Sequence, residues 1–269
     1  MAAAQGFVDP SRAVLRVEGP EARDWLQGLV TNNVDRLAPE RPVYAALLNP
    51  QGKYLFDFLL LDGGPGTVRL DVAADRAAAL LQRLSLYRLR RKVALAEEPA
   101  LQVAVGWGER PPGALPDPRH PELGWRLYAE DAAAALSAAG VAPAARDDYD
   151  RRRIALAVPE SGVELVPEDS YVLEAGLDRL NGVDFRKGCY VGQEVTARMR
   201  HKTALRKGLA RVAVDGVPPP PGSPVATAEG RPAGILFSVA GGEGLAHLRF
   251  DRAEGDMRAG EATLRRVAE

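Results

Sequence analysis

The chain is poor in the residues that hold metals and cross-links. It has one cysteine, Cys189, in 269 residues, which excludes an internal disulfide framework and an all-thiolate zinc or iron–sulfur site built within a single chain. Its three histidines, His120, His201 and His247, lie too far apart in sequence for a local metal motif, so the sequence assigns no metal ligands. Charge of one sign is not in excess either. Thirty-five Lys plus Arg against 36 Asp plus Glu leave a formal net charge of −1, and no global field draws the chain to nucleic acid or to an anionic membrane. No apolar run approaches the ~18 residues of a membrane-spanning helix. The opening Met1-Ala2-Ala3-Ala4-Gln5-Gly6-Phe7 has neither the basic nor the apolar region of a secretory leader. The expectation is a soluble, cytosolic protein with no membrane partner.

What is present is a mixture of strand and helix patterns. Val14 to Val17 reads as a strand, and Gly19-Pro20 opens a helix in which Ala22, Trp25, Leu26, Leu29 and Val30 recur at helical spacing as one core face. Val43 to Leu48 and Tyr54 to Leu61 flank Asn49-Pro50-Gln51-Gly52, whose Pro and Gly suit a tight turn, so a hairpin is predicted. Val68 to Val72 alternates, and Asp75 to Leu89 has helical content with Ala78, Leu81 and Leu84 inward. Strands at Leu101 to Val105 and Trp125 to Tyr128 are divided by a proline-rich loop. Helices are predicted at Ala132 to Ala139, Asp147 to Leu156 and Tyr171 to Leu180, the last capped in left-handed geometry at Asn181-Gly182. Without a steady βαβ rhythm the class is α+β. Beyond Lys207, short alternating runs between Gly- and Pro-rich turns predict a small antiparallel β-barrel or sandwich. The boundary is placed near residue 205, dividing residues 1–204 from a C-terminal domain of residues 205–269.

Cys189 lies between Arg186-Lys187 and the group Arg198, Arg200, His201 and Lys202, with Gly188 and Gly192 beside it. This reads as a flexible, cation-rich loop, in which nearby positive charge favours the thiolate and glycines allow a ligand close to the backbone. A lone cysteine is more commonly a small buried hydrophobe, and spacing alone leaves both readings open. The basic run from Arg198 to Lys207 lacks the interleaved aromatics of a base-stacking surface, which argues against direct nucleic-acid binding.

The stretch from Asp178 to Arg198, centred on Lys187-Gly188-Cys189-Tyr190-Val191-Gly192-Gln193-Glu194, resembles the signature of the YgfZ-type folate-binding proteins. These are relatives of the aminomethyltransferase, the T-protein of glycine cleavage. Trp25-Leu26-Gln27-Gly28 with Thr31-Asn32-Asn33-Val34 is similar to the opening helix of that superfamily, and Tyr87-Arg88-Leu89-Arg90-Arg91-Lys92-Val93 to its Tyr-x-Leu-Arg-x-Lys-Val element. The resemblance covers essentially the whole chain. It implies an aminomethyltransferase-like α+β region enclosing a central channel for tetrahydrofolate, followed by a β-barrel. It also implies an accessory role in the maturation or repair of iron–sulfur enzymes, a tRNA-modifying radical enzyme among them, with folate and iron–sulfur enzymes or cluster-assembly proteins as partners.

Carried over by motif, Cys189 is the reacting thiol and Lys187 favours its thiolate, while Tyr190, Gln193 and Glu194 complete the loop. Asp57, Tyr87, Arg88 and Arg153 are further cofactor-binding candidates. Two positions depart from the aminomethyltransferase. Its paired aspartates are Phe56-Asp57 here, and the carboxylate that would grip the pterin is replaced by Ala155 in Arg153-Ile154-Ala155, which removes a charge-assisted hydrogen bond. Both argue against ordinary aminomethyl transfer. A genuine one-carbon transferase or demethylase, and a non-catalytic scaffold binding partners through the barrel, are the alternatives.

Overall fold

Apolar residues at nearly every position of two neighbouring strands set the architecture, because a strand that is apolar on both sides must be covered on both. The computed structural model describes residues 3–201 and 205–267. From the N-terminus run β1 (Gln5–Val8), β2 (Arg12–Glu18), α1 (Ala22–Gln27), β3 (Val43–Leu48), β4 (Tyr54–Asp62), β5 (Thr67–Ala73), α2 (Ala77–Arg88) and β6 (Ala94–Glu97). There follow β7 (Gln102–Trp107), β8 (Leu115–Pro116), β9 (Trp125–Ala129), α3 (Ala132–Ala138), β10 (Ala142–Pro143), α4 (Arg146–Ala155) and α5 (Gln193–His201).

The first sheet has the order β3-β4-β5-β2-β6 and the second β10-β1-β7-β9-β8. Val43, Ala45 and Leu47 of β3 pack with Trp25 and Leu26 of α1 and Leu80 and Leu84 of α2. The alternate residues Tyr44, Ala46 and Leu48 join Val105 and Trp107 of the second sheet and Tyr149 of α4. On the outer side of the second sheet, Trp125 and Leu127 are covered by Ala132 and Leu136 of α3. The order of layers is helices, sheet, sheet, helix, and the expected α+β class holds.

The C-terminal region comprises β11 (Lys207–Asp215), β12 (Ser223–Thr227), β13 (Pro232–Ala240), β14 (Glu243–Arg249), β15 (Met257–Ala259) and β16 (Ala262–Arg266). They close into a barrel in the order β11-β14-β13-β12-β15-β16, which leaves no free sheet edge. Val212, Leu236, Leu248, Met257 and Leu264 fill it. It is tied to the first region through polar groups. Leu209 N–H donates to the Glu174 carbonyl at 2.6 Å, Arg153 Nη2 to Ser238 Oγ at 2.6 Å, and Ser238 N–H to Glu164 Oε1 at 3.2 Å.

Three local expectations change. Residues 171–180 form successive turns rather than a helix, because Gly176 at φ +75 leaves helical space. Leu173, Leu177 and Leu180 are nonetheless buried, and Asn181 is left-handed at φ 57. In α2 the buried face is Ala77, Leu80 and Leu84, with Ala78 exposed, because the 3-10 turn Ala74–Arg76 resets the phase before the α-helix starts. The basic segment expected as loop is helix α5 through His201. Lys202 of that cluster, and residues 202–204 beside the expected boundary, lie outside the described residues.

Helix α5 meets the β3–β4 hairpin at two glycines. A Cβ on Gly192, at φ +82, would stand 2.6 Å from the Asn49 carbonyl oxygen and 2.9 Å from Leu48 Cβ, and one on Gly52, at φ +73, 2.7 Å from Val195 Cβ. Gly192→Ala is expected to lower unfolding free energy by about 2–4 kcal/mol through backbone strain and overpacking together. Denaturant midpoints check this, and an unchanged midpoint would mean the close approach is dispensable.

Candidate functional site

The residues that carry Cys189 are fixed to the first region by a ladder of side-chain to backbone bonds. Thr31, fully buried, donates through Oγ1 to the Gly182 carbonyl at 2.6 Å and accepts from Ala46 N–H at 2.9 Å. Asn32 Nδ2 donates to the carbonyls of Tyr44 at 2.7 Å and Asn181 at 2.6 Å. Asp184 N–H returns a bond to the Thr31 carbonyl at 3.0 Å. The Asp184 carboxylate accepts from Arg36 at 2.8 Å and from Arg186 N–H at 2.8 Å.

Lys187 completes the ladder. Its side chain is buried, and Nζ donates to the carbonyl oxygens of Gln27 at 2.7 Å, Val30 at 2.5 Å and Asn32 at 2.8 Å. An ammonium has three protons, and here all three are engaged. The expectation that Lys187 favours the Cys189 thiolate is therefore corrected: its charge is directed into the turn after α1, and it is a positioning residue. Hydrogen bonds to a charged group contribute about 1.5–3 kcal/mol each, against a desolvation cost of several kcal/mol for the buried ion. The two nearly offset, and what remains is a defined position for the loop. Burial pushes the ammonium down to about 8, with Asp184 and Asp35 opposing.

Cys189, between buried Lys187 and buried Tyr190, is exposed. Gln193 opens α5 and its Oε1 accepts from Tyr190 N–H at 3.3 Å, while Glu194 is exposed in the first helical turn. Arg186 and Arg198 are exposed nearby, and the Arg200 guanidinium stacks 3.8 Å over Phe185. The structure thus gathers Lys187, Cys189, Tyr190, Gln193 and Glu194 into one loop and helix, with the thiol on the surface.

The other candidates lie elsewhere. Tyr87 packs beside α1, its carbonyl accepting from Trp25 Nε1 at 3.2 Å, and Arg88 is exposed at the end of α2. Asp57 is buried between the sheets, where it accepts from Tyr44 at 3.0 Å, Tyr54 at 2.7 Å and Ser161. Burial beside that carboxylate raises both tyrosine hydroxyls well above their usual range, so they remain donors. Arg153 is engaged by Asp150 at 2.7 Å, and by Glu160 and Glu164 at 3.2 Å each. Ala155 is exposed on α4, and Arg153 is met by Asp150, Glu160 and Glu164.

Sequence reading missed the network around them. Asp71, fully buried, accepts from Arg12 at 2.6 Å, Arg126 at 2.9 Å and Tyr128 at 2.8 Å. Asp117 takes Arg119 at 2.7 Å and Arg126 at 3.1 Å. Burial would raise both carboxyls, but the guanidiniums outweigh it and hold them below the ordinary carboxylate range. The one available signal was a second charged residue, Asp71, in the short strand that already carries Arg69. The cavity where Asp57 meets Arg119, Arg126 and Arg153 measures about 20 Å³, room for a single water. A pterin needs a pocket of roughly 300 Å³ or more. The cofactor-binding roles expected of Asp57 and Arg153 are therefore corrected: their polar atoms are already paired within the protein, and the space between these two residues does not fit a folate.

Comparison with known proteins agrees with the architecture. Residues 206–268 match the family described as CAF17, C-terminal beta-barrel domain. The chain is 35% identical over 280 residues to the mitochondrial iron–sulfur cluster assembly factor IBA57 of Mus musculus, covering 91% of this chain and 78% of that one. The chain belongs to the IBA57 family. The Homo sapiens member is also 35% identical with the same coverage, and the homologue from Phaeosphaeria nodorum is 30% identical over 90% of this chain and 69% of its own. The glycine cleavage system aminomethyltransferase T from Bartonella henselae superposes with a TM-score of 0.82 at 16% identity, over 100% of this chain and 86% of that one, which places the IBA57-type chain in the aminomethyltransferase fold. These relatives are named mitochondrial, and that overturns the cytosolic expectation drawn from the opening residues.

The buried ammonium has a pH signature. Its folded value of about 8 lies below the ordinary 10.5, so between the two the unfolded chain binds more protons and this group's contribution to stability rises with pH. Lys187→Met is expected to lower stability at pH 7 by about 1–3 kcal/mol by leaving carbonyls unpaired. Across pH 8 to 10.5 the wild type should gain stability relative to the variant. Denaturant titrations at stepped pH measure the difference, and a constant gap would contradict the burial of the charge.

Proposed function

We propose that the chain is an accessory factor in iron–sulfur enzyme maturation, in which Cys189 is the reacting group. The observation that carries this is an exposed thiol on a loop whose neighbours, Lys187 and Tyr190, are buried and bonded. Function in the named relatives, iron–sulfur cluster assembly, supports the same reading. A thiolate is the protein ligand iron takes in such clusters, and these are commonly held by four. With one cysteine in the chain, Cys189 can supply one ligand, so a cluster as cargo would be held jointly with the client or the assembly protein. Arg186, Arg198 and Arg200, exposed on the same loop and helix, supply positive charge for an anionic cargo or partner. Lys187 holds the loop, and Gly192 keeps it against the hairpin.

Clients in this proposal are iron–sulfur enzymes, tRNA-modifying radical enzymes among them. Tetrahydrofolate is the cofactor implied by the likeness to folate-binding proteins, but the filled room at Asp57 gives it no step here. The rival reading, a one-carbon transferase, requires that acid at the reacting centre.

The two are separated in a strain lacking the gene. Cys189→Ser is expected to leave iron–sulfur enzyme activities at the deletion level, roughly tenfold below wild type, with melting unchanged. Asp57→Asn should retain activity in proportion to folded protein. Full activity of Cys189→Ser would end the proposal, and methylamine turnover abolished by Asp57→Asn would establish the rival.

A further inference from the structure

The end of α2 carries features that the thiol loop does not use. Leu89 terminates the helix at φ 47 and ψ −114, a conformation that L side chains rarely adopt and that glycine takes freely. Its side chain is 86% exposed and that of Leu86, one turn earlier, 66% exposed. Leucine at position 89 therefore gains no packing inside the molecule to offset its backbone. Arg88 and Arg90 on either side are exposed and form no ion pair among the described residues.

The flanks of this tip are held firmly. Arg91 pairs with Glu21 at 3.0 Å and Asp24 at 2.9 Å, and Lys92 N–H donates to Glu21 at 2.6 Å. Arg91 N–H also donates to the Arg88 carbonyl at 2.9 Å, closing a tight turn that presents residues 88–90 outward. The base therefore displays Leu89 between the guanidiniums of Arg88 and Arg90, with Leu86 one turn before.

We infer that this tip is a docking peg for a protein partner whose surface is an apolar groove edged with carboxylates. The largely exposed leucines supply the apolar anchor, and arginine, with its fixed fork of donors, fits the carboxylate rim. The charge complement is specific to the tip, since the chain as a whole carries −1. A membrane is the poorer occupant, because an interfacial helix uses a long apolar face and that of α2 is buried on the first sheet. The peg is linked to α1, which also anchors the thiol loop: Trp25 of α1 donates to the Tyr87 carbonyl, and Lys187 donates to that of Gln27 at the end of the same helix. A partner seated on Leu86 and Leu89 would be held beside the end of α1 from which Cys189 is suspended. The inference stands apart from the chemistry proposed for Cys189.

A photoreactive residue at exposed Ser85, one turn before Leu89, in the full-length chain tests this in cells. The expected cross-link is to one protein, through a segment containing Asp or Glu. Arg88→Glu with Arg90→Glu should reduce it at least tenfold, and changing the cross-linked acids to Lys should restore it. Leu89→Gly should lose it as well while melting no lower than wild type, because glycine relieves the strained backbone. Cys189→Ser should keep it, so that docking and thiol chemistry fail separately. Cross-linking to lipid, nucleic acid or a second copy of this chain, insensitivity to the arginine reversals, or no product above background would each overturn the inference. So would arginine-dependent binding of the purified protein to phosphatidylglycerol vesicles.

Discussion

The Lys187 ammonium joins three carbonyl oxygens across more than 150 residues of sequence, and the placement of the thiol depends on that join. Without it, the segment from Asp184 to Gly192 would be tethered by the Thr31 and Asn32 bonds on one side and by the hairpin contact on the other. With it, the backbone two residues before the sulfur is fixed to the end of a helix. The geometry turns a glycine-flanked loop into a mount on which an exposed side chain keeps its address.

A second constraint acts between the two sheets. Asp57, Asp71, Asp117, Arg119, Arg126 and Arg153 are buried there. Paired ions in such a place add little net stability compared with apolar packing, because desolvation cancels most of the Coulomb attraction. Their effect is on what the space can admit. Each carboxylate has its guanidinium or hydroxyl partners, and an incoming ring would have to displace them and leave charges unpaired. The aminomethyltransferase fold is thereby kept with the space between Asp57 and Arg153 filled by paired charges.

Much of this was legible in the sequence because local patterns are short-range. Val43 to Leu48 and the hairpin around Pro50 and Gly52 could be read directly, since an unbroken apolar run ending in Pro and Gly admits few conformations. The cysteine motif located the thiol to the residue. What could not be read was the direction of long side chains. Nothing near Lys187 in sequence announces that its charge is buried at α1, and nothing near Asp71 announces Arg126. The turns at 171–180 defeated helical spacing for a related reason: the leucines are inward by virtue of their neighbours in space, while Gly176 breaks the backbone that would have linked them.

Glu164 has a consequence for how the two regions can be treated as parts. One of its oxygens accepts from the backbone of Ser238 in the barrel and the other from Arg153 in the body, while Arg153 itself reaches the Ser238 hydroxyl. The barrel thus seals a buried ion pair as a stopper seals a flask. Removing it would open to water a carboxylate and a guanidinium that are buried in the whole chain. Evolutionary or engineered exchange of barrels between relatives is therefore tied to a residue that can stand where Ser238 stands, and the C-terminal region is a structural lid as much as a separable module.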